Sequence, residues 1–151
     1  MKAISLWQPW ASAIALGLKK IETRHWTTAF RGPIAIHAAK RWTLDERERW
    51  LAECAMNPSL PKDIPLGAFV AVAELADVVS TDVLLATSSV SLKESEWGNY
   101  GPARYGWMFE NIVALPRPIP FKGAQGLFNV PESELSIAPG IQPSTPQLPL
   151  L

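Results

Sequence analysis

The chain has 151 residues, enough for one domain with a real core and too few for two comfortable ones. Its 14 basic and 14 acidic residues balance, so no global field marks a polyanionic partner, and a single cysteine, Cys54, excludes an internal disulfide. No apolar run approaches a membrane span and the N-terminus lacks the basic start and hydrophobic centre of a leader, so the expected setting is the cytoplasm, away from membranes.

The first predicted element is a short strand at residues 3–7, AISLW. Pro9 suits the first turn of a helix that runs to Leu16 and stops at Gly17. Trp10, Ala13, Ile14 and Gly17 share one face of it, predicted to plug a sheet. The pattern then turns extended, with Ile21 and Thr23 on one side and Lys20, Glu22 and Arg24 on the other, so a helix end meets a strand start at Lys19. Residues 32–39 make the next strand, Ile34 and Ile36 facing one way and Ala35 and His37 the other. Residues 43–55, TLDERERWLAECA, predict a second helix with Thr43 as N-cap, acids in its first turn, and Leu44, Trp50, Leu51 and Cys54 as its buried stripe. In that stripe Cys54 is an inert thiol, not a nucleophile.

A turn-rich connector at 57–65 leads to a long central strand at 67–79. Alternation places Phe69, Ala71 and Ala73 on one side of it and Val70, Val72 and Glu74 on the other. Residues 80–96 read as a polar segment, 98–106 as a glycine loop, 105–115 as a strand, 116–123 as a proline-punctuated link, and 124–131 as a last short strand or edge. From Ser136 to Leu151 the chain is rich in proline and free of charge, a tail that cannot build a core. This order predicts one α+β domain over residues 1–135, with a mostly antiparallel sheet or small barrel rather than a doubly wound parallel sheet.

The chemistry-bearing motifs are few. There is no phosphate-cradling GxxxxGK[ST], no GxSxG, no HExxH and no paired CxxC, and His25 and His37 with one cysteine are too few soft ligands for a zinc site. No metal or cofactor is expected. Charge is uneven: residues 17–49 carry eight basic side chains against four acidic, and residues 53–96 carry two against seven. Lys19, Glu22 and Arg24 make a cluster able to move protons or clamp an anion, and spacing alone equally allows a salt-bridge ladder on an edge strand. Glu74 sits on a valine-bearing face, either as a functional carboxylate or where the strand emerges into solvent. In EWGNYGPARYGW, residues 96–107, Trp97, Tyr100, Tyr105 and Trp107 interleave with Arg104, a pairing of stacking planes and a cation suited to a nucleobase.

QPWASAIALGLKKIETRHWTTAFRGPIAIHAAK resembles the start of an activating signal cointegrator homology (ASCH) domain. A QPWA-type helix precedes a GxKxxExR signature, here Gly17, Lys19, Glu22 and Arg24, and Arg31, Gly32 and IAIHAAK follow as in the family. The strand ending in Glu74 and the YGWMFENI strand have counterparts, so the resemblance spans roughly residues 3–130. It implies a PUA-like fold, a small β-barrel with flanking helices and a cleft lined by the signature, in a group whose relatives bind RNA. The expected function is recognition of RNA or a nucleoside or nucleotide. Trp7, Gln8, Pro9, Trp10, Lys19, Glu22, Arg24, His37, Arg104 and Tyr105 are the candidate ligand-binding residues.

Some small bacterial ASCH proteins are amidohydrolases that remove the acetyl group from acetylated cytidine, with lysine at the position of Lys19, threonine at that of Glu22 and glutamate at that of Glu74. The resemblance thus implies an alternative, an acyl-nucleobase hydrolase with Lys19, Glu22 and Glu74 as catalytic residues. Glu22 replaces the family threonine in it, and Thr23 is predicted to face the other way. A further alternative is a protein-interaction module with a protein partner on the acidic half and the apolar tail.

Overall fold

The computed structural model describes residues 1–135, and the proline-rich tail at 136–151 lies outside the described residues. In chain order the elements are β1 (Lys2–Leu6), α1 (Trp10–Ala15), β2 (Ile21–Arg24), β3 (Gly32–Ala38), α2 (Leu44–Met56), β4 (Ala68–Ser80), α3 (Thr81–Ala86), α4 (Leu92–Ser95), β5 (Tyr105–Pro120) and β6 (Leu127–Asn129). The strands form a six-stranded sheet in the order β2-β5-β4-β3-β1-β6. The β1–β3 pair is parallel and the remaining pairs are antiparallel. The result is a mixed, curled half-barrel with flanking helices.

Burial divides the interior into layers. Period-2 alternation sends Ile4, Leu6, Ile34 and Ile36 to one face of the sheet, where they meet Ala11 and Ile14 of α1. Ala3 and Ala35 go to the opposite face with Phe69, Val72, Leu115 and Ile119. A third cluster of Ala13, Trp50, Cys54 and Trp97 joins α1 to α2. The short helix α1 is therefore wedged between sheet and helix. Its predicted single buried face is corrected: Ala11, Ser12, Ala13 and Ile14 are all buried, because both flanks have a neighbour.

Other expectations change for local reasons. Thr43 caps α2 as predicted, within a capping box: its hydroxyl accepts from Glu46 N–H and the Glu46 carboxylate accepts from Thr43 N–H. Glu46, Trp50 and Cys54 make the buried stripe, while Leu44 is 70% and Leu51 41% exposed. The helix is rotated by the demands of the cap and of Trp50, whose indole N–H reaches Pro61 O at 2.9 Å. In β4 the simple alternation fails at a bulge. Ile36 pairs with Ala71 but His37 pairs with Phe69, so Val70 joins Ala71 and Ala73 on the α1 face and Phe69 joins Val72 on the other. The link at 116–120 is not a link but the continuation of β5, and the polar segment 80–96 holds α3 and α4.

Thr43→Ala removes one half of the capping box. Its expected effect is a loss of about 1 kcal/mol, read as a lower urea midpoint with an unchanged m-value.

Candidate functional site

The site is built where α1 ends. Gly17 adopts φ +80°, a left-handed conformation open to glycine at little cost, and it lets Leu18 N–H return to Ala13 O at 2.8 Å. That reversal carries Lys19 inward. Its side chain is 1% exposed, and Nζ donates to Glu22 Oε1 at 2.7 Å and to Trp97 O at 3.1 Å. The other carboxylate oxygen of Glu22 lies 3.5 Å from Arg24 Nη1. The edge strand β2 is held from outside as well, since the Glu94 carboxylate accepts from Lys20 N–H and Ile21 N–H, each at 3.1 Å.

The segment after Trp97 wraps the end of β2. Asn99 N–H donates to Thr23 Oγ1 at 2.9 Å, and Arg104 donates to Asn99 O and Thr23 O. Thr81 Oγ1 ties down the same loop through Gly101 O at 2.8 Å. Close approach makes Gly98 a requirement, because a Cβ there would lie 2.9 Å from Tyr100 Cε1 and 3.2 Å from the Thr23 side chain. Burial, then the nearby Glu94 and Glu22 carboxylates, push the Tyr100 phenol above its ordinary range. Among the described residues, Tyr100 OH and Arg24 Nε are buried without a hydrogen-bond partner.

These elements enclose an open cleft of about 790 Å³. Trp10 and Trp97 line it beside Arg49, whose guanidinium lies 4.5 Å from the Trp97 ring centroid and 5.9 Å from that of Trp10. Arg24 stands 5.8 Å from the Trp26 ring and Arg104 lies near it, with Glu22 and Glu96 as the acids of the wall. Ser5, Trp7, Thr23, His25, Ala39, Gly98, Asn99 and residues 124–126 complete the lining. The cleft therefore combines stacking surfaces with more basic than acidic side chains, a lining able to hold a planar, anionic ligand.

Of the candidate residues, Trp7, Trp10, Glu22, Arg24 and Arg104 line this cleft. Lys19 supports it from behind through Glu22. Gln8 is fully buried and spent on Ser12 and Pro65 O, so it does not donate into the cleft, and Pro9 is buried beside it. Tyr105 packs against the cluster between sheet and α1, while Trp107 is core and donates its indole N–H to Trp26 O. Glu74 does not join Lys19 and Glu22. It pairs in register with Pro33 and Glu110, whereas the Glu22 row continues through Trp107 to Val78, and its carboxylate accepts from Asn111 at 3.3 Å. His37 is buried beside Phe69 and Phe128, bonded to Ser5 and Phe121. Sequence reasoning missed Arg49, Trp26 and Glu94. Arg49 lies on the second helix outside its expected buried stripe, and Glu94 in the stretch read only as a polar segment.

A curled half-barrel with flanking helices, open at a basic, tryptophan-lined cleft beside a GxKxxExR turn, is a PUA-like α+β domain. The profile of the ASCH domain matches residues 4–121, and the chain belongs to the ASCH family, a family associated with RNA binding. Among solved structures, the ASCH protein of Zymomonas mobilis superposes with a TM-score of 0.55 at 19% identity, covering 89% of this chain and 90% of that one. A tyrosine-to-phenylalanine variant of the same protein superposes with a TM-score of 0.55 at 20% identity, covering 89% and 92%. These likenesses establish the fold. Among curated proteins no sequence matches this chain. Among the described residues no helix is long and apolar enough to cross a membrane.

Lys19→Met leaves Glu22 buried without its ammonium partner and Trp97 O without a donor. The expected cost is about 3–5 kcal/mol, measured by chemical denaturation. A second expectation concerns His37, whose pKa burial lowers against the opposing effect of its bond to Phe121 O. The unfolded chain then binds more protons than the native one below the ordinary histidine value of 6.5, so stability falls as the pH drops through that value. In His37→Gln this pH-dependent loss below about pH 6.5 is expected to flatten, as read from Tm against pH.

Proposed function

We propose that the cleft recognises single-stranded RNA or a nucleoside, holding a base against its tryptophans and the anionic backbone against its arginines. One observation carries the reading. Trp7, Trp10 and Trp26 present partly exposed rings to a single cleft with Arg24, Arg49 and Arg104, and the buried Trp97 backs its wall. Base faces stack on such rings with little regard to sequence, and guanidinium groups take phosphate oxygens in pairs. Glu22 adds polarity to the floor: with Oε1 held by Lys19, Oε2 is the oxygen left to accept from the N–H edge of a base.

A hydrolase using Lys19, Glu22 and Glu74 together draws less support. It requires the three groups around one carbonyl, and Glu74 is engaged by Asn111 outside the cleft lining. A protein-interaction role for the tail concerns residues outside those described.

Titration with short single-stranded RNA and with nucleosides is expected to quench tryptophan fluorescence, with RNA affinity falling as salt rises. Arg104→Ala is expected to weaken RNA binding about tenfold and to reduce the slope of log affinity against log salt by about one. Absence of salt-dependent binding at millimolar ligand sinks the reading.

A further inference from the structure

The cleft has a second polar feature that base recognition does not use. Ser5 of β1 and His37 of β3 are direct partners in the parallel ladder, so their side chains leave the same face of the sheet. Ser5 Oγ lies 2.9 Å from His37 Nδ1, and His37 Nε2 lies 2.7 Å from Phe121 O. A carbonyl only accepts, so Nε2 carries the ring proton and Nδ1 is left to accept from the Ser5 hydroxyl. The imidazole is locked: its ring stands edge-on to Phe69 at 5.1 Å and to Phe128 at 6.2 Å between centroids. His37 is 1% exposed, whereas Ser5 is half-buried and lines the cleft.

We propose that Ser5 and His37 form a reactive centre in which Ser5 Oγ attacks the carbonyl carbon of a small carboxylic ester, with His37 Nδ1 as general base. This goes beyond the base-recognition reading and does not rest on it. The arrangement has the parts that activation of a serine needs: a nucleophile, a base within hydrogen-bond reach, and a third group that orients the base. Here Phe121 O is the orienting group. It holds the tautomer and supports the imidazolium that forms.

The step balances without a co-reactant. The Ser5 hydroxyl proton passes to Nδ1 as the Oγ–C bond forms, and collapse of the tetrahedral adduct breaks the ester C–O bond. Nδ1 returns the proton to the departing alkoxide, and water then enters by the same route to release the acid and restore Ser5. The substrate class follows from the walls. Ala39, Ala124 and Gly126 line the cleft near Ser5, and Gly123 packs so closely that a Cβ there would lie 2.7 Å from His37 Cε1 and 3.0 Å from Ser5 Oγ. Such an end takes a small acyl group. Gln125 lines the same end with a carboxamide able to donate to the developing oxyanion.

The full chain is treated with a fluorophosphonate probe and, separately, with p-nitrophenyl acetate. The expected result is one phosphonyl adduct, mapped by peptide mass spectrometry to Ser5 and absent from Ser5→Ala. Esterase activity is expected to fall about a hundredfold in Ser5→Ala and in a folded His37→Gln. Gly123→Ala provides a second check on the pair, since its new methyl group crowds the His37 imidazole and Ser5 Oγ together without replacing either residue. It is expected to lower the labelling rate by a similar factor. The proposal is overturned if folded wild-type protein gives no adduct on Ser5, or if Gly123→Ala and His37→Gln label as fast as wild type. Adduct formation on Ser5 is read by mass spectrometry and RNA affinity by fluorescence on the same wild-type protein, so absence of the adduct leaves the base-recognition reading standing.

Discussion

The charged wall of the cleft depends on one buried lysine. Taking an ammonium group out of water costs several kcal/mol, and only a carboxylate and further acceptors placed around it offset that. Lys19 has both in Glu22 Oε1 and Trp97 O. To place them, three segments must meet: the end of α1 at Gly17, the edge strand β2, and the chain leaving α4. Each is secured independently, by the return bond from Leu18 to Ala13 O, by the Glu94 clamp on Lys20 and Ile21, and by Asn99 on Thr23. The lysine thus acts as a keystone behind the wall. It orients Glu22 so that one oxygen is committed and the other faces Arg24, which sets the polar pattern presented to a ligand.

Much of this was legible in the sequence where a local rule governs. Gly17 ends the helix, Thr43 caps the next one, and period-2 alternation sorted Ile34 and Ile36 from Ala35 and His37. The signature residues Lys19, Glu22 and Arg24 do cluster. What failed was set by tertiary context. Leu44 and Leu51 are as apolar as any core residue, yet Trp50 and the capping-box Glu46 decide which face of α2 turns inward. Pro116, Pro118 and Pro120 look like a broken link because proline lacks a donor. At every second position, however, the missing donors all fall on one edge of the strand. The β2 partner of β5 covers only Tyr105 to Met108, and β4 pairs with Ile119 and Pro120 from the other edge. The strand therefore continues.

Glu74 shows the limit of reading a role from a position. Its place on the Val72 side of β4 was foreseen, but alternation along one strand does not say which row of the sheet a residue shares with another. That depends on the bulges between β4 and β5, which shift the register after Phe69, Val72 and Leu75. The carboxylate ends up opposite Glu110 and beside Asn111, and the wall facing Lys19 is made by the segment from Trp97 to Arg104 instead.

The bulge at Val70 has the opposite effect at the other end of the cleft. In unbroken register Val70 would stand across from His37; the extra residue brings Phe69 there, with its ring edge-on to the imidazole. That contact and Phe121 enclose His37 in an apolar setting that favours its neutral form, the form able to accept from Ser5. The neutral histidine is thus a product of burial, set by the register that one bulge imposes.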